Sequence, residues 1–336
     1  MTDGRRILIT GIAGQLQGLV VRALEQRDDV ERLVGVDVRE PPHPLTSTRF
    51  VRADLRNPVV GHVLDEERID TVLHLSTTTA PGASGGRARM KERNVIGAMQ
   101  LFAACQRAPT LRRIVLKSTT AVYGSEHTDP VSFREDTAPR NPPGQGFGKD
   151  ATEVETYLRA VDRKRDDLEV TILRFANLLG AQVDSTFLSL FSLPAVPMVL
   201  GFDPRLQFCH EHDAAEILAR TATASHPGVF NVAGDGVLYL SQCIRLAGRV
   251  PAPIPAPLVS AAARSARRTR RVDIPADQLR FLRYGRVVDL ERMHQQLGFH
   301  PTYSTRAAFE DFVTRRRLRG RVGPTVQRVV ADATGR

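Results

Sequence analysis

The first residues whose types and spacing suit a ligand lie in a glycine-rich turn near the amino terminus, "TGIAGQLQG". Gly11 and Gly14 separate an apolar run from a helical pattern, as in a strand-to-helix turn. The pyrophosphate of a dinucleotide needs backbone N–H groups at a helix amino terminus and no Cβ atom in its way. Asp37 ends a second apolar run about 20 residues later, where a carboxylate can accept hydrogen bonds from an adenosine ribose. The pattern predicts a dinucleotide-binding unit.

Two details of this turn bear on the cofactor. The third glycine of the usual pattern is replaced by Gln17, and Gly18 comes one place late, so we expect the helix and the strand to pack differently there. The Asp37 carboxylate would repel a 2′-phosphate, which favours NAD. Arg39, two residues further on, could bind such a phosphate, so NADP is the less favoured alternative.

The elements that must position the turn alternate between apolar strands and helices. Strand candidates are "RRILIT", "ERLVGVDV", "RFVRADL", "DTVLHLS", "RRIVLKST" and "LEVTILRFAN", with helical stretches such as "RMKERNVIGAMQLFAACQRA" between most of them. This order predicts an α/β fold with a doubly wound parallel sheet covered on both faces. After about Gly180 the elements become short and rich in proline, and "VPAPIPAPL" (Val250–Leu258) is expected to form a stiff extended linker or lid.

Composition narrows the class of protein. A chain of 336 residues with 42% hydrophobic and 25% charged residues suits one large or two interlocked globular domains. The most apolar run, Phe187–Phe202, is interrupted by Pro194 and Pro197 and is too short to span a membrane, and no signal peptide is visible. The three cysteines are too few and too scattered for a disulfide framework or a metal site. We therefore expect a soluble, cytoplasmic protein.

The net charge of +10 raises the question of nucleic acid. Arginines concentrate in Ala263–Arg271 and Arg315–Arg321, and neither run has the interleaved aromatic residues of a base-stacking surface. We expect solvated faces or contacts with anionic ligands, and no sequence-specific binding of nucleic acid. Loose association with acidic membrane lipids or nucleic acid is the alternative.

Further motifs follow the glycine-rich turn in a fixed order. They are "ADL" (Ala53–Leu55), "HLS" (His74–Ser76), "NVIGAMQL" (Asn94–Leu101), "STTAVYG" (Ser118–Gly124), "RFANLLG" (Arg174–Gly180), "QFCHEHDAAE" (Gln207–Glu216), "GVFNVAG" (Gly228–Gly234) and "RVVDLERMHQQLGFHPTYS" (Arg286–Ser304). Together with "TGIAG" they resemble the extended short-chain dehydrogenase/reductases, specifically the NAD-dependent epimerase/dehydratase group. The resemblance covers residues from about 5 to 315 and is specific to the group rather than to one substrate.

The resemblance implies an architecture and partners. It implies a Rossmann-type NAD-binding domain over 1–180, to which 206–234 return, with a smaller substrate-binding part over 181–205 and 235–320 and a tail over 321–336. It implies a nucleotide sugar as ligand, and a homodimer formed through the helices that carry Asn94 and Ala151.

The resemblance also implies roles for individual residues. Cofactor contacts are expected from Gly11, Ala13, Gly14, Gln15, Leu16, Asp37, Arg39, Asp54, Leu55, Leu75, Ser76, Asn94 and Ser118. Asn177, Arg205 and Arg283 are expected to bind substrate, although a solvated role is an equal alternative for each arginine. His74 is expected to be a hydrogen-bonded core residue. His210–Asp213 is expected to lead into a helix that Asp213 caps, without binding a metal.

Relatives of this kind use a Tyr and a Lys four residues later as an acid–base pair, with a Ser or Thr hydroxyl on the same substrate oxygen. In "GQGFGKDATEVETYL" (Gly144–Leu158), Phe147 falls at the Tyr position and Ala151 at the Lys position. Thr119 keeps the hydroxyl, which alone is a poor base at pH 7. Two interpretations follow: an NAD-dependent epimerase or dehydratase with an unusual proton relay through Thr119, or a catalytically silent NAD(H)-binding sensor or regulator.

Overall fold

Residues 4–76, 86–181, 183, 186–259 and 276–318 are described by the structure, which is a computed structural model. The Arg-rich run Ala263–Arg271, the end of the second Arg-rich run and the tail from 321 to 336 lie outside the described residues. Among the helices in the described ranges, none combines the length and the apolar character needed to cross a bilayer.

A seven-stranded parallel sheet forms the centre of the molecule, in the order β11-β6-β5-β4-β1-β2-β3. Its strands are β1 (Arg5–Thr10), β2 (Val30–Asp37), β3 (Arg49–Arg52), β4 (Thr71–His74), β5 (Arg113–Thr119), β6 (Glu169–Phe175) and β11 (Gly228–Val232). Alternate residues of a strand face opposite sides of a sheet. In β1, Ile7 and Ile9 join one core while Leu8 joins the other, so both faces are buried. The predicted doubly wound α/β fold is confirmed.

Helices cover the two faces of this sheet. The first helices are α1 (Gln15–Glu25), α2 (Val59–Glu66), α3 (Arg87–Lys91), α4 (Gly97–Arg107), α5 (Gly146–Asp162) and α7 (Glu211–Thr223), and a π-helical turn, Glu92–Ile96, joins α3 to α4. Helices α1 and α7 pack together on one core, and α2, α4 and α5 supply the other. In α5, Ala151, Val154 and Leu158 are buried, as their shared helical face predicts.

A second group of short elements packs around its own core of phenylalanines. The strands are β7 (Asn177–Leu179) with β10 (Phe208–His210), β8 (Ala195–Val199) with β13 (Val250–Ile254), and β9 (Arg205–Leu206) with β12 (Leu238–Tyr239) and β14 (Gly285–Arg286). The helices are α6 (Thr186–Ser189), α8 (Leu240–Leu246), α9 (Ala276–Tyr284), α10 (Glu291–Gln295) and α11 (Thr305–Arg315). Phe187, Phe191, Phe208 and Phe309 are fully buried there.

Two local expectations differ from the structure. The first half of Val250–Leu258 is not a linker, because β13 pairs in parallel with β8 along its whole length. In this two-stranded sheet, Pro251 and Pro253 alternate with the residues of β13 that bond to β8. Their backbones face away from β8, so the N–H groups that proline lacks are not needed for the pairing. The cap of α7 is His210, whose Nδ1 accepts from the N–H of His212 at 3.2 Å, and not Asp213. The Asp213 carboxylate instead accepts the N–H groups of Thr302 and Tyr303.

Candidate active site

The glycine-rich turn has the geometry that a dinucleotide requires. Gly11 adopts a φ of +75°, and a Cβ atom there would lie 2.7 Å from Ser76 Cα. Gly14 caps α1 in an extended conformation, and no described side chain bonds to the first N–H groups of the helix. Among the described residues, the first N–H groups of α1 are therefore left without a side-chain partner, as an anion site at a helix amino terminus requires.

Asp37 is fixed beside the turn by two backbone bonds. Its Oδ2 accepts from the N–H of Ala13 and its Oδ1 from the N–H of Arg39, each at 3.1 Å. These bonds hold the carboxylate at the carboxyl end of β2, the position where an adenosine ribose hydroxyl is recognised. The residues present therefore fit the adenosine half of a dinucleotide.

Gln17, which replaces the third glycine, reaches across the opening of the turn. Its Nε2 donates to the carbonyl oxygen of Leu75 at 3.0 Å, and its Oε1 occupies the space that a Cβ atom on Gly14 would need. Gly18 packs instead against the ring of His43. A pyrophosphate at the start of α1 must therefore displace or contact the Gln17 amide.

The remaining cofactor candidates lie at the ends of β3 and β4 and on the π-helical turn. The Asp54 carboxylate is bound by Arg56 at 2.7 Å, and these bonds lower its pKa. Leu55 packs against Gly97, and Asn94 is buried. The N–H groups of Leu75 and Ser76 both point to the hydroxyl of Thr10.

One cavity of about 650 Å³ opens at the carboxyl ends of the central strands. Its wall runs from the start of α1 to the end of β5, the start of α5 and the facing surface of α9. Of the residues that the sequence singled out, Gln15, Leu16, Ser118, Thr119, Phe147 and Asn177 line it. The cavity thus joins the cofactor turn to the predicted catalytic hydroxyl.

Arg205 and Arg283 are not among the described residues that line this cavity. Arg205 donates to the carbonyl oxygen of Val131, and the Arg283 guanidinium stacks on Phe202 with its carbon 4.4 Å from the ring centre. Stacking on apolar rings uses an arginine without exposing it to a ligand.

Two other arginines, which sequence reasoning missed, line the cavity instead. Arg280 forms an ion pair with Glu126. Arg286 donates to the carbonyl oxygen of Gly124 at 2.8 Å, and burial lowers its pKa to about 10. Arg280, Arg286 and Lys117 line the cavity together with the carboxylates of Glu126 and Asp277, so its positive side chains outnumber its negative ones by one.

Phe147 and Ala151 lie on α5 beside the cavities. Phe147 borders the large cavity, and together with Ala151 it also borders a small adjoining one of about 10 Å³. Lys149 lies elsewhere on the helix, 3.9 Å from Glu153. Tyr123 is buried, donates to Asn231 Oδ1 and accepts from Arg174, each at 2.8 Å. Its hydroxyl is therefore already committed within the core.

Lys117, on β5, is a functional candidate that sequence reasoning also missed. It precedes Thr119 by two residues, so both side chains point to the same face of the sheet, and both line the large and the small cavity. Ser118 also borders both cavities, and its hydroxyl, on the other face of β5, donates to Glu155 Oε1 at 2.6 Å. Burial lowers the pKa of the Lys117 ammonium from 10.5 to about 8. The alternation along β5, counted back from Thr119, is the signal that would have found it.

His74 is a hydrogen-bonded core residue, as predicted. Its Nδ1 lies 2.7 Å from the hydroxyl of Thr10, which already accepts from two backbone N–H groups and so donates its own hydrogen to the ring. Burial, with a smaller contribution from the charge of Lys117, lowers the pKa of His74 to about 4. The ring is therefore neutral at pH 7.

A buried network holds β5, β6 and α5 together behind the cavity. Arg174 donates to both carboxylate oxygens of Glu155, at 3.0 and 2.6 Å, and to the hydroxyl of Tyr123. Each polar group here has a partner, as burial requires. The network fixes the face of α5 that carries Phe147 and Ala151.

A metal site finds no support in the part of the chain that the structure describes. No three His, Cys, Asp or Glu side chains converge there, and Cys105, Cys209 and Cys243 are free and buried.

The chain is similar to known proteins in sequence and in fold. A family model described as the NAD dependent epimerase/dehydratase family matches residues 7–233. An uncharacterized protein of Mycobacterium tuberculosis is 44% identical over 322 residues, which are 95% of this chain and 86% of that relative.

Solved structures share the fold at lower identity. MoeE5, in complex with UDP-glucuronic acid and NAD, has a TM-score of 0.70 at 22% identity and covers 93% of this chain and 99% of its own. A Tyr-to-Phe mutant of UDP-glucuronic acid 4-epimerase from Bacillus cereus, with a fluorinated UDP-sugar and NAD, has a TM-score of 0.71 at 19% identity and covers 93% and 99%. The match of the family model over more than half of the chain shows that it belongs to the NAD-dependent epimerase/dehydratase family.

Proposed function

We propose that the protein is an enzyme that binds NAD and a nucleotide sugar and acts on the sugar by transient hydride transfer. The observation that carries this proposal is the continuity of the 650 Å³ cavity, which runs from the start of α1 past Thr119 to Arg280 and Arg286. A nicotinamide, a sugar ring and a pyrophosphate need such an elongated space with cations at its far end.

NAD is the cofactor that the residues fit. Gly11 and Gly14 put no side chain of their own in the path of a pyrophosphate, which would have to displace or contact the Gln17 amide. The fixed carboxylate of Asp37 suits a ribose hydroxyl and opposes a 2′-phosphate. Bound NAD would supply a hydride acceptor. We propose NAD rather than NADP, with Arg39 as the residue that would have to bind a 2′-phosphate otherwise.

The ligand class follows from the other end of the cavity. Arg280 and Arg286 supply positive charge where the diphosphate of a nucleotide sugar would lie, and Asn177 supplies an amide on the way. The solved structures of similar fold that hold UDP-sugars support the same assignment. Arg205 and Arg283, which the sequence suggested as substrate ligands, would not touch the sugar nucleotide and would only support the residues that line the cavity.

A catalytically silent NAD(H)-binding protein is the second candidate. The observation that favours it is the pair Phe147 and Ala151, which supplies neither a phenol nor an amine to the cavity. The two candidates share both ligands and differ only in hydride transfer.

Binding is tested with the purified chain. Titration calorimetry with NAD and NADP should show at least about tenfold tighter binding of NAD. A carboxylate that faces the 2′-phosphate should weaken the binding free energy of NADP by at least about 1.4 kcal/mol. Asp37→Ala should remove this preference. Equal or tighter binding of NADP by the wild type would overturn the assignment of the cofactor.

The sugar ligand is tested on the NAD-loaded protein with a panel of UDP- and dTDP-sugars. Arg280→Ala should weaken the best ligand about tenfold, while Arg134→Ala, which removes an exposed arginine paired with Glu291 outside the cavity, should leave it unchanged. If no nucleotide sugar in the panel binds, the proposed ligand class is wrong.

We also propose a cytoplasmic homodimer. Ile96 on the π-helical turn and Tyr157 on α5 are exposed large side chains, and they lie on the two helical segments through which the family resemblance implies dimerisation. Light scattering of the wild type and of Tyr157→Asp would test this, since a charged residue should dissociate the dimer; a monomeric wild type would contradict it.

A further inference from the structure

We propose that the amine of Lys117 is the general base of this site and that it replaces the missing Tyr–Lys pair from a different element of the fold. The proposal rests on the proposed function, because it needs a substrate hydroxyl and a hydride acceptor in the cavity.

The position of Lys117 carries the proposal. Its side chain leaves β5 on the same face as Thr119, and the two residues line both the large cavity and the small one beside it. The small cavity is also bordered by Phe147 and Ala151. Lys117 on β5 and Ala151 on α5 thus border the same small cavity, while the side chain of Lys117 shares its face of the sheet with Thr119 at the large one.

Lys117 is also free to act. It makes no hydrogen bond or ion pair with any residue that the structure describes, and its side chain is partly buried. The charged and titratable side chains around it are otherwise engaged. His74 bonds to Thr10, Asp150 is held by Arg87 at 2.5 and 2.6 Å, and Glu126 is paired with Arg280.

The remaining charges near the two cavities are Asp277 and Arg286 on the far wall and the Glu155–Arg174 pair on the opposite face of β5. Burial alone lowers the pKa of Lys117, so none of these carboxylates lies close enough to hold the proton of the amine.

The choice of residue type fits a group that must lose a proton. Of the 47 lysines and arginines in this chain only four are lysines, and the other three are Lys91, Lys149 and Lys164. Arginine cannot be deprotonated in a protein, whereas a desolvated lysine can. Burial brings the pKa of Lys117 to about 8, so a useful fraction of the amine is neutral at physiological pH.

The step that we propose balances as follows. The neutral amine of Lys117 takes the proton of a sugar hydroxyl, the O–H bonding pair forms the carbonyl, and the hydrogen on the same carbon leaves with its electron pair to the nicotinamide of NAD. The products are a keto sugar, reduced nicotinamide and an ammonium ion on Lys117. The hydroxyl of Thr119 accepts from the N–H of Ala121 at 3.2 Å, so its own hydrogen can be donated to the same sugar oxygen.

The first test needs no ligand. The ligand-free protein is labelled with an amine-reactive acylating reagent across a range of pH, and mass spectrometry follows the four lysines separately. Lys117 should titrate at least one pH unit below Lys164, which is exposed and serves as the internal reference. A titration of Lys117 that coincides with that of Lys164 would overturn the proposal.

The second test uses the NAD-loaded protein and asks whether Lys117 acts as a base or only as a positive charge. Lys117→Met and Lys117→Arg should both bind the best nucleotide sugar within a few-fold of the wild type but reduce the rate of nicotinamide reduction by about 10²–10⁴-fold. Lys149→Met, on the far side of α5, should leave the rate unchanged.

Each other outcome has a meaning. If Lys117→Arg is as fast as the wild type, the residue is a fixed cation and the base assignment is wrong. If the wild type binds NAD and sugars without reducing the nicotinamide, the Lys117 proposal fails while the binding function stands. If neither ligand binds, the proposed function itself fails, and the two failures are thereby distinguished.

Discussion

Lys117 and Ala151 border the same small cavity, one from strand β5 and the other from helix α5. Family relatives with the Tyr–Lys pair would bring their amine from the helix, whereas this chain brings one from the strand. This difference is consistent with a proton acceptor that has moved from the helix to the strand, and not with the loss of the catalytic site.

The stability of the protein should depend on the charge of Lys117. Because burial lowers its pKa from 10.5 to about 8, the folded state carries the full cost of the buried charge below about pH 8. Between about pH 8 and 10.5 this lysine is protonated in the unfolded chain but not in the folded protein. The free energy of unfolding should therefore rise with pH over this range. Lys117→Met should therefore be more stable than the wild type at neutral pH, by on the order of 1–3 kcal/mol.

Urea unfolding of both proteins at neutral and at high pH measures this difference. The advantage of Lys117→Met should shrink as the pH approaches 10.5. A lysine with only a structural role would give the opposite sign, since its removal would destabilise the protein at neutral pH.

Restoring the lysine on α5 should conflict with Lys117. In Ala151→Lys a second ammonium would be added to a residue that borders the same small cavity as Lys117, and two like charges so close should cost more than the sum of the single changes. Adding Lys117→Ser should relieve that cost, with a coupling free energy of about 1 kcal/mol or more.

The cycle of wild type, the two single variants and the double variant is measured by urea unfolding. Adding Phe147→Tyr to the double variant should then restore hydride transfer, because the phenol and the amine lie one helical turn apart. Strictly additive stabilities would show that the two positions do not share a space.

Gln17 should limit the affinity for NAD. Its hydrogen bond to Leu75 closes the opening of the glycine-rich turn, and breaking one such bond costs about 0.5–1.5 kcal/mol. Gln17→Ala should therefore bind NAD about two- to tenfold more tightly in calorimetry. Gln295→Ala, remote from the turn, is the matched control, and weaker binding by Gln17→Ala would make the amide a ligand instead of an obstacle.

The buried network behind the site should dominate the stability of this region. Glu155→Gln would leave the Arg174 charge buried and unpaired, which should cost about 3–5 kcal/mol of the free energy of unfolding. The exposed pair Arg306–Glu310 provides the comparison, since Glu310→Gln should cost about 1 kcal/mol at most. Similar costs for the two variants would contradict the assignment of the network.

Much of the cofactor end could be predicted from the sequence, and the reason is backbone geometry. The turn needs Gly11 and Gly14 whatever surrounds it, and Asp37 ends a strand whose neighbours are fixed by the sheet. Apolar runs at regular spacing likewise predicted the parallel sheet.

The substrate end depends on packing that no short motif encodes. Arg283 stacks on Phe202 and so does not line the cavity. Arg286 lines the cavity and is held by a hydrogen bond to the carbonyl oxygen of Gly124, a residue far from it in the sequence. Lys117 belongs to no motif of its own, and only its two-residue spacing from Thr119 on β5 indicates that the two side chains share a face of the sheet.

The most direct test of the account is the pH dependence of nicotinamide reduction in a single turnover, with NAD-loaded wild type mixed with its best nucleotide sugar. If the neutral amine of Lys117 accepts the proton, the rate should rise with pH and level off above about pH 8, and this step should disappear in Lys117→Arg. A wild-type rate that does not change with pH through this range, or a profile that Lys117→Arg retains, would contradict the account.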